Sequence, residues 1–287
     1  MASPLYAVTG ATGQLGRLVI DALLARVPAD QIVALVRRPD AASDLAARGV
    51  AVREADYDRP ETLAPALAGV DRLLLVSSDA VGKRVPQHRA VIAAAREAGV
   101  GLVAYTSILH ADTSVISLAG EHRQTEADLA ESGIPVALLR NGWYTENYTG
   151  SLGAAVAHGT LMGSAGDAPL SLATRADFAA AAAAVLTADD PAGVYELAGD
   201  DGVTLSDLAA EAARRSGKPV VYTDLPEADY RAALEGVGLP APVAAMLAQA
   251  DAAARDGALH DDSRTLSGLI GRPTTPLRDA VDAALPA

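Results

Sequence analysis

The stretch that decides the fold is Gly10-Ala-Thr-Gly13-Gln-Leu-Gly16, in which three glycines recur at every third position. An apolar run, residues 5–9, precedes it, and residues 15–23 carry apolar side chains at helical spacing. Between a strand and a helix, such glycines permit a tight turn, close approach of a pyrophosphate and close helix packing. A merely tight turn is the alternative, which this context disfavours. The residues predicted to bind the phosphates are Gly10, Ala11, Thr12, Gly13, Gln14 and Leu15.

Strand and helix signals alternate throughout the first half of the chain. Unbroken apolar strands are predicted at residues 31–36, 51–54, 72–76, 102–106 and 136–139. Helices are predicted between them at residues 41–48, 61–68, 86–98 and 121–132. Apolar strands joined by helices are typical of a parallel sheet covered on both faces. The predicted fold is therefore α/β, a Rossmann-type doubly wound parallel sheet with a smaller C-terminal α/β substrate lobe.

The alternation weakens beyond about residue 145. Helices are predicted at residues 175–188, 204–215 and 240–254, and strands at 194–197 and 219–223 that would extend the sheet. We interpret residues 1–145 as a dinucleotide-binding Rossmann domain. Residues 146–287 are then a smaller substrate lobe, with some segments returning to the main domain.

Composition excludes several other classes of protein. The net charge of −13 comes without a clustered basic face, so nucleic acid is not an expected partner. The chain has no cysteine, and its five histidines lack the spacing of a zinc site, so no metal is expected. Neither a signal peptide nor an apolar stretch of membrane-spanning length is present, which favours a cytoplasmic protein.

The end of the second predicted strand indicates which dinucleotide binds. An NAD site usually places an acidic residue there to hold the ribose 2′-hydroxyl, whereas this chain has Arg37 and Arg38. An arginine gives bidentate, charge-assisted hydrogen bonds to a 2′-phosphate. Arg37 therefore predicts NADP(H), although two solvated surface arginines are the alternative.

Further polar residues follow the third and fourth predicted strands. Asp56 is placed either to bond the adenine amino group or to form a solvated turn. Ser77, Ser78 and Asp79 lie at the carboxyl edge of the sheet, where open α/β sheets bind ligands. These three residues are candidates for contact with the cofactor, and a role in capping the turn is the alternative.

With these residues in place, the sequence resembles the NmrA-like group of atypical short-chain dehydrogenase/reductases. Among them it is most similar to the NADPH-dependent quinone oxidoreductases of type 2. The segments that carry the resemblance are Thr9-Gly10-Ala-Thr-Gly13-Gln-Leu-Gly16, Val36-Arg37, Ala104-Tyr-Thr-Ser-Ile-Leu-His-Ala-Asp-Thr-Ser114, Leu139-Arg-Asn-Gly-Trp-Tyr-Thr-Glu-Asn-Tyr148 and Leu269-Ile-Gly-Arg-Pro-Thr-Thr-Pro276. The resemblance implies an oxidoreductase with a small quinone as substrate, and a homodimer.

The resemblance also implies that a second group of residues lines the nicotinamide side of the cofactor. They are Asn141, Gly142, Trp143, Tyr144, Thr145 and Glu146, together with Arg175. The first of these follow a predicted strand, which places them at the same edge of the sheet. Trp143 is alternatively a core or interface anchor, and Arg175 a surface residue at a helix start.

One departure from ordinary short-chain dehydrogenases bears on the chemistry. Those enzymes carry Tyr-x-x-x-Lys on the helix after the fifth strand, whereas this chain has Glu121-His-Arg-Gln-Thr-Glu126. His122 could titrate near neutral pH, but a lone histidine is more often structural. No catalytic residue is assigned, and direct hydride transfer to a quinone needs no strong acid. A non-catalytic NADP(H)-binding redox sensor is the main alternative, and a nucleotide-sugar epimerase ranks below it.

Overall fold

The computed structural model describes residues 3–285 and contains a parallel seven-stranded sheet. The strands of this sheet are β1 (Tyr6–Val8), β2 (Ile32–Val36), β3 (Ala51–Glu54), β4 (Arg72–Leu75), β5 (Leu102–Ile108), β6 (Val136–Asn141) and β8 (Gly193–Leu197), and two further strands, β7 (Thr160–Gly163) and β9 (Val221–Asp224), lie outside it. The order in the large sheet is β3-β2-β1-β4-β5-β6-β8. The predicted Rossmann-type fold is confirmed.

The helices alternate with the strands as far as β6 and dominate the last third of the chain. They are α1 (Gln14–Leu24), α2 (Ser43–Ala47), α3 (Leu63–Ala66), α4 (Arg84–Glu97), α5 (Ala119–Ala130), α6 (Glu146–Thr149), α7 (Leu152–His158), α8 (Arg175–Thr187), α9 (Leu205–Ser216), α10 (Glu227–Gly236), α11 (Ala241–Ala254), α12 (Thr265–Ile270) and α13 (Leu277–Ala284). Two predicted helices, residues 41–48 and 61–68, are shorter because 3-10 turns starting at Pro39 and Pro60 precede them.

The chain forms two compact units. The first runs up to Ala111 and adds Gly120–Asn141 and Arg175–Tyr195; the second contains Asp112–Ala119, Gly142–Thr174 and the chain from Glu196 onward. The first and last two residues of the predicted domain ranges lie outside the described residues. Whether the units divide into a cofactor domain and a substrate lobe stays a prediction.

Strand β1 lies at the point where the strand order reverses. Val8 pairs in register with Ala34 of β2 on one side and with Leu74 of β4 on the other. Successive crossovers lead from β1 to β3 in one direction and from β4 to β6 in the other. In open parallel sheets, this arrangement leaves a ligand crevice beyond the carboxyl ends of the central strands.

In the first unit, helix α8 packs against α1. Its run of alanines, residues 179–184, lacks an amphipathic stripe, and most of them are buried. Small side chains let two helix backbones approach closely, which accounts for this composition. The guanidinium of Arg72 donates to the carbonyls of Leu186 and Ala188, at 2.7 and 2.6 Å, and so caps the end of α8.

The pairing predicted for one strand is wrong. Residues 219–223 were expected to extend the large sheet, but β9 pairs in parallel with β7 in a separate two-stranded sheet. The short run Thr160-Leu-Met-Gly163 supplies the partner that the prediction lacked. Strand β8, predicted at residues 194–197, does join the edge of the large sheet. Among residues 3–285, no helix is both long and apolar enough to cross a membrane.

Candidate cofactor site

The glycine loop has the geometry that close approach of a phosphate requires. Gly10 adopts a left-handed backbone, with φ of +58°, and its carbonyl accepts from the Gly13 N–H at 2.8 Å. A Cβ on Gly16 would lie 2.3 Å from that same carbonyl oxygen, so only glycine fits there. Helix α1 therefore starts directly against the loop, and the N–H groups of its first turn have no partner within the helix. The arrangement fits a dinucleotide pyrophosphate.

Thr9 fixes the loop to the neighbouring strand. Its Oγ1 donates to the Leu74 carbonyl at 3.2 Å and accepts from the Val76 N–H at 2.9 Å. The Tyr57 hydroxyl lies 2.6 Å from the same Oγ1. Because Tyr57 is removed from water, the pKa of its phenol is raised and it stays a hydrogen-bond donor. The residue before Gly10 is thus held from three directions.

A groove of about 420 Å³ lies at this edge of the sheet, within the first unit. Its volume is within the range of small-molecule sites. It brings together the predicted Arg37, Asp56 and most of the phosphate-loop residues with the three residues after β4. The residues that line it are Gly10, Thr12, Gly13, Gln14, Leu15, Gly16, Arg37, Ala55, Asp56, Tyr57, Asp58, Val76, Ser77, Ser78, Asp79, Ala80 and Gln87.

Ala11 is the one predicted loop residue that does not line the groove. Its side chain is fully buried, and its N–H donates to the Leu35 carbonyl at 3.3 Å. Ala11 therefore fastens the loop to β2, and a contact with the phosphates stays a prediction only for its backbone.

Arg37 is exposed at the end of β2 and lines the groove, whereas Arg38 does not. Within residues 3–285, the Arg37 guanidinium makes no hydrogen bond or ion pair. Nearby arginines are already paired, such as Arg17 with Asp44 and Arg48 with Asp21. Arg37 therefore keeps its five donors for a ligand in the groove.

Tyr57, Asp58 and Gln87 line the groove and were missed at the sequence level. Gln87 Nε2 donates to Asp58 Oδ1 at 2.8 Å, which joins helix α4 to the turn after β3. The only available signal was a polar residue on a helix expected to pack against the sheet. Such a residue cannot be placed without knowing which face of the helix is buried.

The residues predicted on the nicotinamide side do not line this groove. Asn141 ends β6 and Arg175 begins α8, both in the first unit. Residues 142–146 belong to the second unit, where the Gly142 N–H donates to the Leu197 carbonyl at 2.7 Å and the Thr145 N–H to the Ala173 carbonyl at 2.9 Å. Trp143 is buried, with 7% of its surface exposed. A contact between this segment and the cofactor stays a prediction.

On the helix that usually carries Tyr-x-x-x-Lys, Glu126 forms an ion pair with Arg140 of β6. Glu126 receives a bidentate interaction from Arg140, with Nε to Oε1 at 3.1 Å and NH2 to Oε2 at 2.8 Å. The Ser107 hydroxyl donates to the same carboxylate at 2.5 Å. This cluster is part-buried and satisfies the acid internally.

The surroundings of His122 support the structural role that was favoured over titration near neutral pH. Burial, and then the nearby Arg84 guanidinium, lower the pKa of His122 to about 3. Its Nε2 lies 3.3 Å from NH1 of Arg84, and its Nδ1 lies 2.8 Å from the hydroxyl of Tyr105. Because guanidinium nitrogens only donate, Nε2 is the acceptor and Nδ1 carries the proton. His122 is a neutral structural residue.

The crevice at the reversal point, the glycine loop against α1 and the groove lined by Arg37 define the class: a dinucleotide-binding protein with a Rossmann-type fold. Residues 10–189 match the family model described as NAD(P)H-binding, and the chain belongs to that family.

Individual relatives extend this similarity over nearly the whole chain. Quinone oxidoreductase 2 of Escherichia coli (strain K12) is 57% identical over 278 residues, which cover 96% of this chain and 97% of the relative. The crystal structure of an NADPH-dependent quinone oxidoreductase from the same organism, complexed with NADPH, matches with a TM-score of 0.95 over 97% of this chain and 99% of that one. Triphenylmethane reductase of Citrobacter sp., complexed with NADP(H), is 40% identical, with a TM-score of 0.93 over 98% of this chain and 100% of that one. The predicted resemblance is confirmed.

Proposed function

We propose that this chain reduces quinones by direct hydride transfer from NADPH. The observation that carries the proposal is the 57% identity with quinone oxidoreductase 2 over 96% of the chain. The groove agrees with it, because one continuous surface gathers the phosphate loop, Arg37 and the turn after β4. The non-catalytic redox sensor is the weaker hypothesis, since the near-full-length relative is an oxidoreductase.

The residues of the groove would divide the binding of NADPH between them. The N-terminal N–H groups of α1, with Gly10, Gly13 and the intervening backbone, would hold the pyrophosphate. Arg37 would bind the 2′-phosphate through two parallel hydrogen bonds, which NADH cannot use. Ser77 and Ser78 would leave room beside the central riboses because their side chains are small. When bound, NADPH supplies the hydride, and the protein supplies orientation.

The proton for the reduced quinone would come from water. Ser107 is already donating to Glu126, and the low pKa of His122 keeps that imidazole neutral. Hydride transfer to a quinone gives a stabilised hydroquinone anion, so a strong acid beside the oxygen is not required. Residues 142–146 and Arg175 would complete the nicotinamide side. We further propose that the second unit supplies substrate contacts, and that the protein is a cytoplasmic homodimer.

The test is oxidation of NADPH by the purified protein with a panel of benzoquinones and naphthoquinones, followed by the loss of NADPH absorbance. We expect turnover that requires both protein and quinone, with NADPH preferred over NADH. Tight NADPH binding without turnover across the panel would favour the redox sensor. Failure to bind NADPH would exclude both hypotheses.

A further inference from the structure

Helix α4 carries three polar side chains on its buried face. Arg84, Gln87 and His88 are 8%, 7% and 0% exposed, and they lie among the apolar side chains that pack α4 against the sheet. Burying polar groups costs free energy unless each one finds a hydrogen-bond partner. A helix needed only for the core would carry apolar residues at these positions. Their partners therefore indicate what they are for.

All three side chains contact one residue, Ser78, in the turn that lines the groove. The Ser78 N–H donates to His88 Nε2 at 3.0 Å, and Arg84 Nε donates to the Ser78 carbonyl. The Ser78 hydroxyl donates to Gln87 Oε1 at 2.5 Å and accepts from the Ala80 N–H at 3.1 Å. The backbone and side chain of Ser78 are thus both fixed from α4.

The contact fixes the tautomer of His88. A backbone N–H only donates, so Nε2 must be an unprotonated acceptor and the proton must lie on Nδ1. Nδ1 lies 2.9 Å from the Thr125 hydroxyl, which in turn donates to the Glu121 carbonyl at 2.9 Å. Each hydrogen bond in this series, from Ser78 to α5, therefore has a fixed donor and a fixed acceptor. Only a neutral imidazole of this tautomer completes it.

The Gln87 side chain forms hydrogen bonds to two turns that line the groove. Its amide oxygen accepts from Ser78, and its amide nitrogen donates to Asp58 on the turn after β3. The two turns follow β3 and β4, which are separated in the sheet by β2 and β1, and Gln87 joins the turns directly. The width of the groove is therefore set from α4 and not only by the glycine loop.

We propose that His88 is a positioning residue for the cofactor, which holds the turn of residues 77–80 in the shape that bound NADP(H) requires. Gln87 supports the same turn from inside the groove. His88 does not line the groove, so its effect must pass through Ser78. The inference rests on one part of the proposed function, that the groove binds NADP(H), and not on quinone reduction.

The test compares three variants by NADPH titration and by quinone kinetics. His88→Leu removes the acceptor; we expect the Kd and KM for NADPH to rise about tenfold, with kcat within about twofold, because one buried N–H loses its partner. His88→Gln keeps an acceptor for Ser78 and a donor for Thr125, and should restore most of the affinity. Val91→Ala is the matched control, since Val91 is buried on the same helix and contacts the core.

The outcomes separate positioning from mere stability. Weak binding by His88→Leu, with rescue by His88→Gln and normal binding by Val91→Ala, supports the proposal. Normal binding by His88→Leu, or equal weakening in Val91→Ala, overturns it. If His88→Leu fails to fold, Thr125→Val replaces it, because it removes the partner that orients the imidazole; a KM rise of about threefold supports the proposal, and an unchanged KM overturns it. Absent quinone turnover with normal NADPH binding would reject the proposed function but leave this comparison intact.

Discussion

The turn after β4 and the turn after β7 are both held by a helix side chain that accepts a backbone N–H. In the first unit His88 of α4 accepts from Ser78. In the second unit Asp251 of α11, which is 2% exposed, accepts from the Ser164 N–H at 3.1 Å through Oδ2 and from the Tyr148 hydroxyl at 2.6 Å through Oδ1. The two supports have similar geometry but different chemistry.

An imidazole accepts at one nitrogen and donates from the other, whereas an ionised carboxylate only accepts. His88 therefore passes its hydrogen bond on to Thr125, and the first unit has a directed chain. Asp251 ends the network and gathers two donors at one point. The hydrogen-bond series through His88 is disrupted when the imidazole changes its protonation. The contacts of Asp251 are lost when its carboxylate is removed.

The largest expected effect comes from removing the Asp251 carboxylate. Asp251→Ala leaves the Tyr148 hydroxyl and the Ser164 N–H buried without an acceptor, and should lower the free energy of unfolding by about 3 kcal/mol. Asp251→Asn is the control, because its amide oxygen still accepts from the Ser164 N–H and its nitrogen donates to the Tyr148 oxygen, so that only the Tyr148 O–H loses its acceptor. We expect it to cost about 1 kcal/mol. Denaturant unfolding measures both, and equal losses would show that the charge of Asp251 matters more than its hydrogen bonds.

The second prediction concerns acid, where the two supports should respond with opposite sign. Burial, and then Arg84, lower the pKa of His88 to about 4, from an ordinary value of 6.5. Between these pH values the unfolded chain takes up a proton that the folded protein does not. Stability is therefore lost as the pH falls through this window, by roughly 3 kcal/mol over the whole shift.

Asp251 behaves in the reverse way. Burial raises the pKa of Asp251 above the usual 3.8, so between pH 3.8 and that raised value the folded protein keeps a proton that the unfolded chain has lost. Its contribution to stability falls as the pH rises through that shift. Unfolding of the wild type, His88→Gln and Asp251→Asn over a pH series measures both contributions. The His88→Gln curve should be flatter between pH 6.5 and 4, and parallel curves for all three proteins would contradict the comparison.

The features that the sequence predicts well are those set by local sequence patterns. The loop from Gly10 to Gly16 and Arg37 follow from spacing and position along one βαβ unit, and the structure places both in one groove. The capping box of Thr204 and Asp207 at the start of α9 is likewise local, and both of its hydrogen bonds are present. These features depend only on residues that are close in the chain.

The features that the sequence could not predict depend on distant partners. The contact of His88 with Thr125 spans 37 residues, and that of Tyr148 with Asp251 spans 103. No periodicity indicates which polar residue on a helix faces inward and finds a partner there. The pairing of β7 with β9 was not predicted for the same reason, since both strands are short and far apart in the sequence.

The third prediction tests whether a residue of the groove can contribute to cofactor binding without contributing to the stability of the fold. Arg37→Ala should raise the Kd for NADPH about tenfold and leave that for NADH unchanged, because only NADPH carries the 2′-phosphate. The side chain is exposed, so the free energy of unfolding should not change. Paired titrations with the two nucleotides, beside a melting curve, measure this. An unchanged preference for NADPH would reject the role of Arg37. Arg38→Ala is the matched control, since Arg38 follows the same strand but does not line the groove.

The smallest expected effect comes from the hydroxyl of Tyr57. Thr9 Oγ1 accepts from both Tyr57 and the Val76 N–H, and donates to Leu74. Tyr57→Phe removes one of these three contacts while the aromatic ring remains, so we expect a loss of about 1 kcal/mol in stability.

The affinity of Tyr57→Phe for NADPH should fall only about twofold to threefold, since the other two contacts keep the glycine loop on β4. Unfolding and NADPH titration of Tyr57→Phe beside His88→Leu decide which support matters more. A larger loss of affinity in Tyr57→Phe would mean that the shape of the groove depends mainly on the loop before α1. The support from α4 would then be secondary, and the contrast between His88 and Asp251 would describe stability but not cofactor binding.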